Sequence, residues 1–397
     1  MHSSDDDAPV RGRLLTLLPL LWLAGVSMRV TVLAVPPVLP LIRADLGMSE
    51  TQIGLLISLP LVMLAAAAIP GSLLIARFGA TLALIAALLL TALAGAGRGA
   101  APDAWLLYLA TLLMGVGVAV IQPAIPTLVR EWLPQRVPLG AAVATNGILF
   151  GATLGPVLTI AVLLPLIGGS WRLSFALWSV PVLATALLFV ALAPRRPAPP
   201  AGSNKNGRRW WPDWGNPLIW LLGCTLGSNN ALYFATNAFL PDYLDSIARG
   251  DLIGLALGCM SASQLVTSTL LLPAAGLLLR RAWPYVAFGL ATVIGVLGVV
   301  LGGGMWIIIA VTLIGVGLAV TFVVTLALPA ALSPPDDVHR MSAGMFTISY
   351  SIALAVPIVS GALWDFTGRE WTAFIPIFLC AVSLTVLGLA LGRRAKG

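Results

Sequence analysis

Charge is scarce in this chain. Of its 397 residues only 9% are Asp, Glu, Lys or Arg, against about 25% in an average soluble domain. No water-facing surface of this size can be built from so few charges, so lipid must replace water around much of it. Histidine and cysteine are scarce as well. The 2 histidines, His2 and His339, fall in polar stretches, which leaves no material for a His/Cys metal site. The 3 cysteines, Cys224, Cys259 and Cys380, lie in apolar runs with no C-x-x-C pair. They read as buried thiols, not as a disulfide framework. No G-x-x-x-x-G-K-[ST] loop is present, so nothing points to an ATP motor, and no cofactor is expected. "GAGRGA" at 95–100 is glycine-rich but lacks a strand–helix context and reads as a loop.

What the chain has instead is apolar residues, 59% of the total. Pro, Gly and charge clusters cut them into twelve segments: 14–41, 53–76, 80–97, 104–129, 138–166, 173–193, 216–241, 253–279, 283–301, 305–332, 341–363 and 371–392. Most exceed the ~20 residues that a crossing helix needs. The expected fold is therefore an all-α membrane protein of twelve transmembrane helices. The first segment is too long and too Pro-rich for a cleaved signal peptide.

The 22 Lys and Arg sort unevenly between the two faces. One face takes sixteen, among them Arg11, Arg13, Arg77, Arg130, Arg136, Arg208, Arg209, Arg280, Arg340 and Arg393. The other takes Arg43, Arg98, Arg172, Arg249 and Arg369. Basic residues mark the cytoplasmic side, so both termini are expected there, in a multi-pass protein of the cell (inner) membrane. Topology thus accounts for the net charge of +7, and no nucleic-acid partner is needed. The stretch 194–216, "PRRPAPPAGSNKNGRRWWPDWGN", reads as a flexible cytoplasmic linker. It separates an N-terminal six-helix half, 1–193, from a C-terminal one, 217–397.

The halves echo each other at an offset near 200. "GVGVAV" at 115–120 answers "GVGLAV" at 315–320, "LPLI" at 39–42 answers "LPDY" at 240–243, and "IGLL" at 53–56 answers "IGLA" at 253–256. Several such pairs in one order argue for duplication. Two repeated six-helix halves resemble the major facilitator superfamily, whose substrate site lies near the bilayer midplane between its halves. "SLLIARFGAT" at 72–81 is similar to that superfamily's G-x-x-x-D-R-x-G-R-R loop. It keeps Arg77 and Gly79 but has Ala76 at the acidic position, which weakens the charge relay the resemblance implies.

Longer stretches narrow the resemblance. "MRVTVLAVPPVLPLIRADLGMSETQIGLLISLP" at 28–60 resembles the cyanate/2-nitroimidazole permease family, with an Arg in helix 1 ahead of a Pro-rich run. "AFLPDYL" at 238–244, "ISYSIALAVPIVSGALWDFTG" at 348–368 and "PAIPTLVREWLPQR" at 123–136 are similar to further motifs of that family. The resemblance implies a carrier of small anions or small polar heterocycles working by alternating access, not an enzyme.

Arg29 is the residue that most needs explaining. Its nearest charged neighbours are Arg13 and Arg43. Each flank is therefore about 20 Å of helix in a bilayer core of about 30 Å. Burial there costs at least ~2.5–3.5 kcal/mol. Three readings stand: a cap on backbone carbonyls of a broken helix, one half of a salt bridge, or a clamp for an anionic substrate. None of the 15 acids falls mid-span, so the substrate is expected to bring the opposite charge. A guanidinium presents a planar fork suited to that task.

Neutral polar residues supply the other substrate-binding candidates. The seventh segment carries Asn229, Asn230, Tyr233 and Asn237. Positions 230, 233 and 237 share a helical face, and Asn230 corresponds to Arg29 in the repeat. Tyr350 matches a tyrosine of the family's helix 11. Gln122, Asn146 and Gln264 complete the set. For each, interhelical hydrogen bonding is the plain alternative. Gly147, Gly151 and Gly155 with Pro156 form G-x-x-x-G-x-x-x-G-P, a pattern that allows close helix packing. The resemblance adds a gate between helices 5 and 8. Pro36, Pro37 and Pro40 imply a kinked first helix with freed carbonyls facing the cavity. The expected partners are a small, anionic solute and the lipid bilayer, with the protein a monomer. A broad-specificity drug or metabolite exporter is the alternative function, and a membrane sensor a more distant one.

Overall fold

The computed structural model describes residues 7–194, 210–279 and 281–394. Most of the linker expected at 194–216 lies outside these residues. Twelve helical rods follow one another, and no strand occurs among the described residues. In the first unit they are α1 (Asp7–Leu33), α2 (Glu50–Ala66, continued by Ala68–Phe78), α3 (Ala80–Gly99), α4 (Ala104–Trp132), α5 (Val137–Leu158) and α6 (Trp171–Leu192). Then come α7 (Pro217–Ser246), α8 (Ile253–Leu271), α9 (Trp283–Leu301), α10 (Met305–Leu332), α11 (Val338–Thr367) and α12 (Phe374–Arg394). Among the described residues, ten stretches are long and apolar enough to cross a membrane, and the two pieces of α2, bent by 49°, make an eleventh if they form one span. The remaining rod, α7, is a continuous helix of 30 residues whose apolar run is broken by Ser228, Asn229, Asn230 and Asn237.

Local chemistry sets the ends. Ser49 and Gln52 close a reciprocal capping box at the start of α2. Asp103 caps α4, Ser170 caps α6 and Asn216 caps α7, where Pro217 takes the first helical position. Gly79 turns the chain from α2 into α3 at a φ of 84°, a conformation that disfavours any side chain. The expected eighth span runs too far. Its helix stops at Leu271, and a separate short helix, Ala275–Leu278, follows.

The chain divides into two compact units. Unit 1 comprises residues 1–211 with Pro334–Arg340, and unit 2 comprises Pro212–Ser333 with the rest of the chain from Met341. Trp210 and Trp211 group with unit 1, where the Ser72 hydroxyl donates to the Trp210 carbonyl (2.8 Å) and Arg340 Nε donates to that of Trp211 (2.9 Å).

Within unit 1, α1 packs along α5, and small residues set the distance. A Cβ on Gly25 would lie 2.3 Å from the Ala144 carbonyl oxygen. One on Gly147 would lie 2.2 Å from that of Trp22, and one on Gly151 2.6 Å from that of Val26. Gly155 is looser, 3.2 Å from a Val30 methyl. The glycine stripe of α5 is therefore the seam with α1. Close packing against α1 accounts for it within this unit. Pro156 leaves the carbonyl four residues back without its N–H, and the helix relaxes three residues later into a π turn, Thr159–Leu163.

Candidate functional site

Arg29 lies on α1, next to the seam with α5 in unit 1. Residues three and four apart are neighbours on a helix, so Arg29 sits one turn beyond Gly25 and Val26, the contact points with α5. It is 6% exposed. One turn further back, Trp22 donates to Asn146 Oδ1 of α5 (3.0 Å) and lies against Phe150 with ring centroids 4.8 Å apart. Asn146 is thereby held as an acceptor to tryptophan. Gln122 on α4 is buried in the same unit, at 2%.

Arg29 is not the only buried cation, which corrects the sequence expectation. The sequence pattern places Arg98 on the outer face, in a glycine-rich loop at 95–100. Residues 95–99 instead form the end of α3, which stops at Gly99, and Arg98 is only 1% exposed. Gly95 and Gly99 make that end of α3 thin enough to lie against α6. A Cβ at Gly99 would come within 2.3 Å of the Arg172 carbonyl oxygen, and one at Gly95 within 2.7 Å of Ser179 Oγ. The Arg98 guanidinium then turns inward, with its carbon 4.0 Å from the centre of the Phe175 ring. Its Nη1 donates to the Thr31 carbonyl oxygen (3.0 Å) and to Met114 Sδ (3.2 Å). Its Nε and Nη2 make no hydrogen bond. A cation–π contact of this kind is worth about 0.5–2 kcal/mol, and a hydrogen bond to a charged donor about 1.5–3 kcal/mol. Together they offset much of the cost of burial. Arg98 thus holds the Thr31 carbonyl, one residue ahead of the Val32 and Leu33 carbonyls that Pro36 and Pro37 leave without N–H partners.

Unit 2 presents amides and hydroxyls. Asn230, 3% exposed, donates to Ser349 Oγ of α11 (2.9 Å). Asn229, outside the face chosen from the sequence, is equally buried and donates to the Leu318 carbonyl (3.0 Å) and Thr321 Oγ1 (2.7 Å) of α10. A fourth bond, at 3.2 Å, joins the hydroxyls of Tyr285 of α9 and Thr325 of α10. Tyr233 and Asn237 are half-buried, and Asn237 Nδ2 donates to the Tyr233 carbonyl one turn back (2.7 Å). That engages one Asn237 N–H on its own helix. Tyr350 is 1% exposed and stacks on Phe346. Gln264 on α8 is buried, and its Nε2 has no hydrogen-bond partner.

Arg77 and Gly79 lie apart from these groups. Arg77 is exposed in the last turn of α2, over the Phe78 ring at 5.5 Å. At the far end of unit 1, Asp45 accepts from Trp171 Nε1 (3.1 Å) and pairs with Arg172 (3.0 Å), which ties the segment Leu39–Leu46 to the start of α6.

Known proteins supply the frame for this arrangement. The family model described as "Major Facilitator Superfamily" matches residues 21–353. The cyanate transport protein CynX of Escherichia coli (strain K12) is 28% identical over 94% of this chain and 96% of its own length. The 2-nitroimidazole transporter of the same organism is 27% identical over 96% of each. Among solved structures, the transporter FucP superposes with a TM-score of 0.76 at 16% identity, over 94% of this chain and 98% of that one, which shows a shared fold. By the match to its model over most of its length, this multi-pass membrane chain belongs to the Major Facilitator Superfamily, and it is a secondary transporter and not an enzyme.

Proposed function

We propose that the protein carries a small anion across the cytoplasmic membrane by alternating access, with Arg29 as the main substrate-binding charge. The observation behind this reading is the sign of the buried charge. Unit 1 buries two guanidiniums, Arg29 and Arg98, and no Asp or Glu among the described residues is buried. In a low-dielectric interior such a field favours an anion strongly over a neutral solute. The relative named for cyanate transport, similar over nearly its whole length, points the same way. Asn230 is proposed to donate to the anion through the amide N–H that Ser349 does not engage. Tyr233, Tyr350, Gln122, Asn146 and Gln264 are secondary candidates. The protein acts as a monomer with both termini in the cytoplasm.

Purified protein in proteoliposomes tests this. Cyanate and other small monovalent anions should be taken up and should compete with one another, while 2-nitroimidazole competes at least tenfold more weakly. Uptake of the neutral heterocycle with no competition by any anion would overturn the anion reading. For orientation, a Lys205→Cys variant should be labelled by a membrane-impermeant thiol reagent only in inside-out vesicles. Labelling from outside intact cells would reverse it.

A further inference from the structure

We infer that Arg98 is a positioning residue for the substrate-binding charge: by holding the Thr31 carbonyl in the last turn of α1, it fixes the turn that presents Arg29. The inference rests on the reading of Arg29 given above and adds a residue that the reading does not use.

The argument starts from the end of α1. An α-helix that stops at Leu33 closes its last i→i−4 bond onto the carbonyl of Arg29. The carbonyls that follow, from Val30 on, need partners from beyond the helix. Ala34 N–H serves Val30 (2.9 Å). Pro36 and Pro37 have no N–H to give to Val32 and Leu33. The turn carrying Arg29 is therefore the last closed turn before a break, where a helix frays most easily. Arg98 Nη1 meets the Thr31 carbonyl in the middle of this gap. A cation at that position also complements the negative end of the helix dipole.

The placement of Arg98 argues against an incidental burial. It lies one residue from the end of α3, where a long side chain can extend toward the headgroups and keep its charge in water. It turns inward instead, stacked on Phe175 and bonded to α1 and α4. The ring fixes the plane of the guanidinium, so that Nη1 is aimed at one carbonyl. In the repeat the corresponding positions are Gly298 and Val299, beside a helix that carries Asn230 and not a charge. The capping arginine and the substrate-binding arginine occur in the same half.

Hydrogen exchange and cyanate uptake on the full-length protein test the inference together. In Arg98→Gln, amides of residues 30–35 should exchange at least tenfold faster, with residues 229–237 unchanged. KM for cyanate should rise at least tenfold, with the maximal rate per folded molecule within threefold. Arg98→Lys should recover part of the KM. In an Arg29→Lys background, where the flexible ammonium no longer depends on a fixed turn, adding Arg98→Gln should change KM less than threefold. If Arg98→Gln does not fold, Phe175→Leu takes its place, with a rise in KM of about threefold. Unchanged exchange at 30–35, an unchanged KM, or an equal tenfold rise in the Arg29→Lys background would overturn the inference while leaving Arg29 as the substrate charge. Native cyanate affinity in Arg29→Ala would overturn both.

Discussion

The two units share a way of packing and differ in what they bury. In unit 1, a Cβ on Gly117 of α4 would lie 2.3 Å from Thr91 Oγ1 and 2.8 Å from the Ala87 carbonyl oxygen. In unit 2, a Cβ on Gly317 of α10 would lie 2.2 Å from Thr292 Oγ1 and 2.6 Å from the Phe288 carbonyl oxygen. Both threonines donate to the carbonyl four residues back, at 2.8 Å. The same seam, made by the same residue types, occurs twice. The polar interior does not repeat. Unit 1 buries Arg29 and Arg98, whereas unit 2 buries Asn229, Asn230 and Tyr285 and pairs them with hydroxyls and carbonyls of its own helices. Where backbone meets backbone only glycine fits, so the seam has no room to diverge. A side chain facing the interior can change, and one half has taken the charge.

The largest effects are expected at the shared seam. Gly117→Val and Gly317→Val should each destabilise by about 1–3 kcal/mol or more, and by similar amounts. Both should show in detergent as earlier thermal unfolding and a broadened size-exclusion profile. A tolerated substitution in one unit alone would break the equivalence of the two seams. Next in size is the hydrogen-bonded interior of unit 2. Asn229→Ala removes two interhelical bonds, each worth about 0.6–1.7 kcal/mol in membranes, and should lower thermal stability more than Asn230→Ala. The reverse is expected for cyanate affinity, which Asn230→Ala should weaken by about 0.5–1.5 kcal/mol. Equal affinity in both variants would return Asn230 to a purely structural place beside Asn229. The smallest effect is expected at the Asp45–Arg172 pair, which is substantially exposed. Asp45→Asn should cost less than about 1 kcal/mol, and high salt should erase the difference from the native protein.

Much of the fold was legible in hydropathy, because a crossing helix must be apolar over a length the bilayer sets. The repeat was legible because glycine seams tolerate no substitution. Three features were not. Within unit 1 the α5 glycine stripe meets α1, and a spacing pattern says that a neighbour comes close without saying which one. Asn229 and Asn230 are adjacent in sequence, and both are buried because α10 lies on one side of α7 and α11 on another; a single-face argument keeps only one. Arg98 stands beside glycines near a helix end, where sequence position is the same for a side chain that reaches the headgroups and one that folds back. Its direction is decided by Phe175 and the Thr31 carbonyl, residues far away in the chain.

The central claim is that the charge buried in unit 1 is there to meet the substrate. The measurement that bears on it most directly is cyanate binding and uptake by Arg29→Ala, read beside its size-exclusion profile and thermal unfolding. A folded variant, melting within a few degrees of the native protein and at least a hundredfold weaker for cyanate, is the expected result, with Arg29→Lys also badly impaired because an ammonium cannot replace the planar fork. A folded Arg29→Ala protein that transports cyanate at the native rate would contradict it.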